Sequence, residues 1–200
     1  MTDLDYYGYA PLIHPDRPLC VVGLPASHHG TTARLVSSFT GLPFFWLDRA
    51  VEHRAGASID SICVERGDDA RQRLESEVLP PVLERPSPHV IVLSEVSLSN
   101  PALHDLIFER TKVVFAQRSL DEVVGTIEAS FERRPTAYAR LLLGSPPNQV
   151  PLKRELQAYE EPMHRAHLIL EATGLHPQHA AQAMLDALGW KLPEVWTRPD

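Results

Sequence analysis

An apolar run that stops at a glycine and resumes as helix-forming sequence constrains this chain most: Leu19-Cys20-Val21-Val22-Gly23-Leu24-Pro25-Ala26-Ser27-His28-His29-Gly30-Thr31-Thr32-Ala33-Arg34-Leu35. Strand, glycine-opened loop and helix, in that order, form a P-loop, in which backbone N–H groups and a helix N-terminus cradle phosphate. Gly23, His28, His29, Gly30, Thr31 and Thr32 are therefore the candidate phosphate-loop residues. Where the pattern calls for Gly-Lys-Ser/Thr, the chain offers His29-Gly30-Thr31, so a neutral glycine is read at the lysine's place. A lysine there brings a point charge to the phosphates, and glycine cannot supply it. The scaffold is expected with its transfer chemistry impaired.

The rest of the chain alternates in the same style. Strands are expected at Leu19 to Val22, Phe44 to Leu47, His89 to Leu93, Lys112 to Ala116 and His167 to Leu170. Helices are expected at Thr31 to Phe39, between Asp48 and Leu83 with a break at Gly67, at Leu120 to Arg133, Leu152 to Ala166 and Pro177 to Leu188. The expectation is an α/β P-loop three-layer fold: a central, mainly parallel five-stranded sheet with helices on both faces and a lid segment. The domain is read as residues 19–188, its lid near 134–151, with extensions at 1–18 and 189–200. Aromatic residues in these extensions, Trp190 among them, are expected to pack back on the domain.

With 200 residues, 44% of them hydrophobic, the chain can bury one core. A formal charge of -7 excludes a general binder of nucleic acid or anionic membrane, which needs a basic footprint. The longest apolar stretches are strand-sized, and the acidic first residues lack a signal peptide's character, so a cytoplasmic protein is expected. Cys20 and Cys63 read as buried, reduced thiols.

The stretch after the second strand carries a family resemblance. Asp48-Arg49-Ala50-Val51-Glu52 … Gly56 … Ile59 … Ile62 … Gly67-Asp68 resembles the D-x-x-I-E-x-x-T-G-x-x-I-x-x-I-F-x-x-x-G-E stretch of shikimate kinases. Arg134-Pro135 matches the Arg-Pro pair at that family's lid, and Glu160-Glu161-Pro162-Met163-His164 echoes its Arg-x-Pro-Leu-Tyr stretch. The resemblance implies the nucleoside-monophosphate-kinase fold, ATP and Mg²⁺ as cofactors if the protein is active, and transfer of phosphate to an alcohol.

The resemblance also implies roles, position by position. Asp48 matches the aspartate that holds the substrate's hydroxyls and assists deprotonation, and it is the catalytic candidate. Thr31 matches the Mg²⁺ hydroxyl. Arg134 matches a lid arginine on phosphate, and Arg34 is a second cation that could replace the lysine. The family's substrate-carboxylate arginine falls on Gln72 by strict counting, with Arg71 and Arg73 on either side; adjacent helix positions point about 100° apart, so that contact is expected to be lost, and Arg71 is kept as a substrate-binding candidate. The second carboxylate-binding arginine falls on Glu160, a charge reversal that repels a carboxylate substrate. A run of three glycines becomes Ser94-Glu95-Val96, whose side chains are expected to reshape the pocket; Glu95 reads as a solvated or capping residue.

His28-His29, His164 with His167 and His176 with His179 lack a third ligand at metal spacing, and surface histidines are the expectation. The reading is a shikimate-kinase-like protein that is catalytically impaired, with a regulatory, ligand-sensing or scaffolding role and a small molecule or protein as partner. An active phosphotransferase with an altered loop is the alternative.

Overall fold

Continuous apolar strands need cover on both faces, and the fold supplies it. The computed structural model describes residues 11–133 and 149–192. Five parallel strands, β1 (Leu19–Val22), β2 (Phe44–Trp46), β3 (Val90–Val92), β4 (Lys112–Gln117) and β5 (Leu168–Glu171), lie in the order β2-β3-β1-β4-β5. Leu19 is level with both Val90 and Lys112, and Phe44 with Val90. Pairing between β4 and β5 is also parallel.

Between the strands run α1 (His29–Thr40), α2 (Leu47–Ala55), α3 (Ile59–Leu83), α4 (His104–Arg110), α5 (Leu120–Arg133), α6 (Gln149–Glu160) and α7 (Pro177–Ala187). Successive strand side chains point to opposite faces. Cys20, Val22, Phe45, Ile91, Val113 and Phe115 pack with residues of α2 to α6. Leu19, Val21, Phe44, Val90 and Val114 pack with residues of α1 and α7. The result is the expected three-layer α/β arrangement.

Several boundaries move. Leu47 opens α2 instead of closing β2, which puts Asp48 in a helix's first turn, where the helix dipole favours a carboxylate. Pro151, read as part of a loop, sits in the first turn of α6, where a missing N–H costs nothing. The last residues of the predicted helix Leu152 to Ala166 form a 3₁₀ turn, Glu161–Arg165. Gly67, at φ 74° and ψ 175°, breaks α3 as the sequence suggested. Trp190 packs against the α1–α7 face, its backbone N–H donating to the Leu185 carbonyl at 2.9 Å. Among the described residues no helix is long and apolar enough to cross a membrane.

Candidate functional site

The loop after β1 closes on itself around Gly23. A Cβ added there would lie 2.6 Å from Ser27 Oγ and 2.8 Å from His29 Cβ, so only glycine fits. Ala26 and His28 both have φ 60°, a left-handed conformation that costs a non-glycine residue about 1–2 kcal/mol. Helix α1 begins at His29, with Thr32 N–H donating to the His28 carbonyl at 3.0 Å.

This geometry corrects the register read from the sequence. Counting the phosphate-loop pattern from Gly23 puts His28 at the second glycine, His29 at the lysine and Gly30 at the hydroxyl. By this count an imidazole stands at the position where the pattern has its lysine. His29 Nδ1 lies 2.9 Å from Ser27 Oγ, and its Nε2 lies 3.2 Å from the Leu93 carbonyl. A carbonyl only accepts, so Nε2 carries the proton and Nδ1 accepts from Ser27. Burial lowers the ring's pKa, opposed by nearby Glu95, which favours the neutral form.

Thr31, read as the Mg²⁺ hydroxyl, is exposed on α1, whereas Thr32 is buried. Gly30 faces Trp46, and an added Cβ would lie 3.1 Å and 3.3 Å from two ring carbons of the indole. Arg34, read as a replacement cation, has its guanidinium over the Phe44 ring at 5.2 Å. Phe44 is level with Leu19, so Arg34 is anchored at the start of the strands, about 10 Å from the end that bears the loop. Arg134 lies outside the described residues.

Beside the loop, one cation is enclosed by acids. Arg71 on α3 is buried, donating through Nη1 to Glu95 Oε1 at 2.6 Å and through Nη2 to Asp48 Oδ1 at 3.0 Å. Its Nε lies 3.5 Å from Glu75 Oε1. Glu95 is therefore a buried ion-pair partner and not the solvated or capping residue expected. Burial works against the guanidinium's charge, but Glu95, Asp48 and Glu75 hold it protonated. Asp48 itself is pushed up, by burial first, with Arg71 opposing.

Arg71 is also where strict counting failed. Strict counting from Gly67-Asp68 puts the inward position on Gln72, whereas the helix after Gly67 turns Arg71 into the core. Gln72 instead accepts from Asn100 Nδ2 through its backbone carbonyl, at 2.9 Å. The two sequence candidates Asp48 and Arg71 are thus brought together.

More acid surrounds this group. Ser94 Oγ donates to Glu75 Oε1 at 2.5 Å. The Tyr159 hydroxyl of α6 lies 3.0 Å from both Asp68 and Glu155. Glu160, at the place of a carboxylate-binding arginine, accepts from Gln117 Nε2 at 2.9 Å.

Members of the histidine pairs make structural contacts, and the rings of His176 and His179 meet edge-on at 6.2 Å. His167 Nδ1 accepts from Val113 N–H at 3.0 Å, and His176 caps α7. Among the described residues no three His, Cys, Asp or Glu side chains are grouped to hold a metal ion. Cys20 and Cys63 are free and buried.

Glu75 gives this site a pH signature. It is fully buried, Oε2 has no hydrogen-bond partner among the described residues, and burial raises its pKa from 4.5 to about 7, with Arg71 opposing. A group whose pKa is raised on folding adds stability that is full below its unfolded value and is lost as pH climbs through its folded value. Between pH 4.5 and about 7 the wild type should lose about 3 kcal/mol from this group, at ~1.36 kcal/mol per unit. Glu75→Gln should remove that loss. Urea unfolding of both proteins at pH 5 and pH 8 checks it, and a stability difference that does not move with pH would reject the assignment.

Comparison with known proteins agrees with the architecture. A family model described as shikimate kinase matches residues 29–188; the match starts at His29, so β1 and the glycine end of the loop precede it. A protein named shikimate kinase from Paracidovorax citrulli is 30% identical over 159 residues, 78% of this chain and 82% of its own. The solved shikimate kinase of Acinetobacter baumannii, in complex with shikimate, shares the fold at a TM-score of 0.70 and 19% identity, covering 86% of this chain and 93% of that one. The Bacteroides thetaiotaomicron shikimate kinase superposes at 0.71, with 18% identity over 86% and 98% of the two chains. The α/β P-loop fold, the Asp48 to Asp68 stretch and a family match over most of the chain together establish that this chain belongs to the shikimate kinase family.

Proposed function

We propose that this family member retains an anion-holding loop but does not phosphorylate shikimate, and that it works as a ligand-sensing or regulatory protein. The observation that carries this reading is the enclosure of Arg71 by Asp48, Glu75 and Glu95. A guanidinium already donating to two carboxylates, with a third at 3.5 Å, has little left for a substrate carboxylate. Glu160 and the acids around Tyr159 add repulsion.

The loop supports the same reading. A neutral His29 stands at the lysine's place, engaged by Ser27 and Leu93. Gly30 has no hydroxyl for Mg²⁺. These residues do not fit a Mg-nucleotide in the usual way, and no transfer step is derived through one. The N-terminus of α1 has no side-chain cap, which supports its first backbone N–H groups as the donors to an anion.

A second reading is an active ATP-dependent phosphotransferase acting on an alcohol. The Paracidovorax relative's name favours it, as does Asp48, which keeps the place of the family's base.

Calorimetric titration with ATP and with shikimate, separately and together, beside an assay for ADP, tests the two. Heat with ATP, none with shikimate and no shikimate-dependent ADP are expected. A shikimate heat accompanied by ADP release would establish the second reading instead.

A further inference from the structure

The replacement at Gly30 is matched by what occupies the space next to it. Where the phosphate-loop pattern places a hydroxyl on Mg²⁺, Gly30 has no side chain, and the Trp46 ring stands close against the place where one would begin. Even a single carbon at this position would meet three indole atoms at 3.1, 3.3 and 3.6 Å. A serine there would press on the ring, which would have to give by a few tenths of an ångström.

The ring is not free to leave easily. Trp46 is the last residue of β2 and is paired in register with Val92. The Phe44 ring meets it edge-on, with centroids 6.2 Å apart and planes at 84°. The guanidinium of Arg49 lies over its face at 5.5 Å. Strand pairing, an aromatic edge and a cation–π contact therefore hold one apolar ring at the mouth of an anion loop. An indole offers a divalent cation no ligand atom, and it excludes the waters through which such an ion could be held.

We propose that the loop binds its anion without a divalent metal, with Trp46 as the residue that excludes the ion; the ligand class is a metal-free phosphate or polyphosphate. This rests on the reading of the loop as an anion site. The donors are the backbone N–H groups at the start of α1, since both nitrogens of His29 are already engaged. A polyphosphate stripped of its metal presents its full negative charge to those donors. Bound Mg²⁺ would cancel two units of that charge and press its hydration shell against the indole.

The test uses the full chain and two probes, ATP and inorganic tripolyphosphate, each titrated by calorimetry in excess EDTA and again in excess Mg²⁺. Wild type should bind both metal-free probes, and Mg²⁺ should weaken each by about tenfold or more, the loss expected when one charge-assisted contact goes. The triple variant His29→Lys, Gly30→Ser, Trp46→Leu should reverse the order and favour Mg-ATP. Circular dichroism of this variant reports whether it folds, and the wild-type comparison decides the matter even where it does not. Tighter binding of Mg-ATP than of free ATP by wild type overturns the inference and leaves the anion loop standing. Absence of binding by either probe in either condition overturns both.

Discussion

Shikimate-dependent ADP formation by this chain should run at a kcat/KM at least about 10⁴-fold below that of the Paracidovorax citrulli relative assayed beside it. Removing one preorganised contact to developing charge commonly costs about 10²–10³ in rate. On the proposed reading two such contacts are altered, since counting from Gly23 puts His29 at the lysine and Gly30 at the metal hydroxyl. Contributions that act independently multiply, and the caged Arg71 adds a loss in substrate binding. A coupled assay at saturating Mg-ATP with varied shikimate measures it. A rate within tenfold of the relative would mean that other groups replace both contacts and that the protein is a working kinase.

Replacing Arg71 with leucine should destabilise the fold by about 3–5 kcal/mol at pH 7, the usual consequence of removing one side of a buried ion pair. The reason is what stays behind. Glu75 and Glu95 are buried and Asp48 is partly so, and removing the guanidinium takes away the cation that faces all three carboxylates. The carboxylates would respond by holding protons, so the loss should shrink as pH falls toward 5. Chemical unfolding of wild type, Arg71→Leu and Arg71→Lys across that range provides the measurement, with lysine expected to recover part of the stability. A loss under 1 kcal/mol at pH 7 would show that the acids do not depend on Arg71.

The sheet was legible because its strands are unbroken apolar runs, and no other element needs that pattern. The start of the helix at Leu120 was read in place, since its amphipathic spacing sets in there. The site was legible only in outline. Asp48 and Arg71 were both candidates, but they sit 23 residues apart on different helices, and a count along the chain does not say which side of α3 faces Asp48. Glu95 looked solvated because its partner lies 24 residues earlier in sequence. The loop was misread by one residue because Thr31 and Thr32 drew the pattern toward their hydroxyls, whereas the fixed point is Gly23, where no side chain fits. Gln117, which holds Glu160, carried no signal in the sequence, since a lone polar residue at a strand end is ordinary.

Trp46 also has an optical consequence. An indole in contact with the start of α1 and covered by a guanidinium is a fluorophore whose emission depends on that contact. Any ligand that shifts the loop must change the polarity or the quenching around this ring. Trp190 packs in the same cluster as Trp46, so emission measured in a Trp190→Phe background isolates the ring at the loop. The protein thus carries its own reporter of occupancy, and ligands can be screened by intrinsic emission without a label.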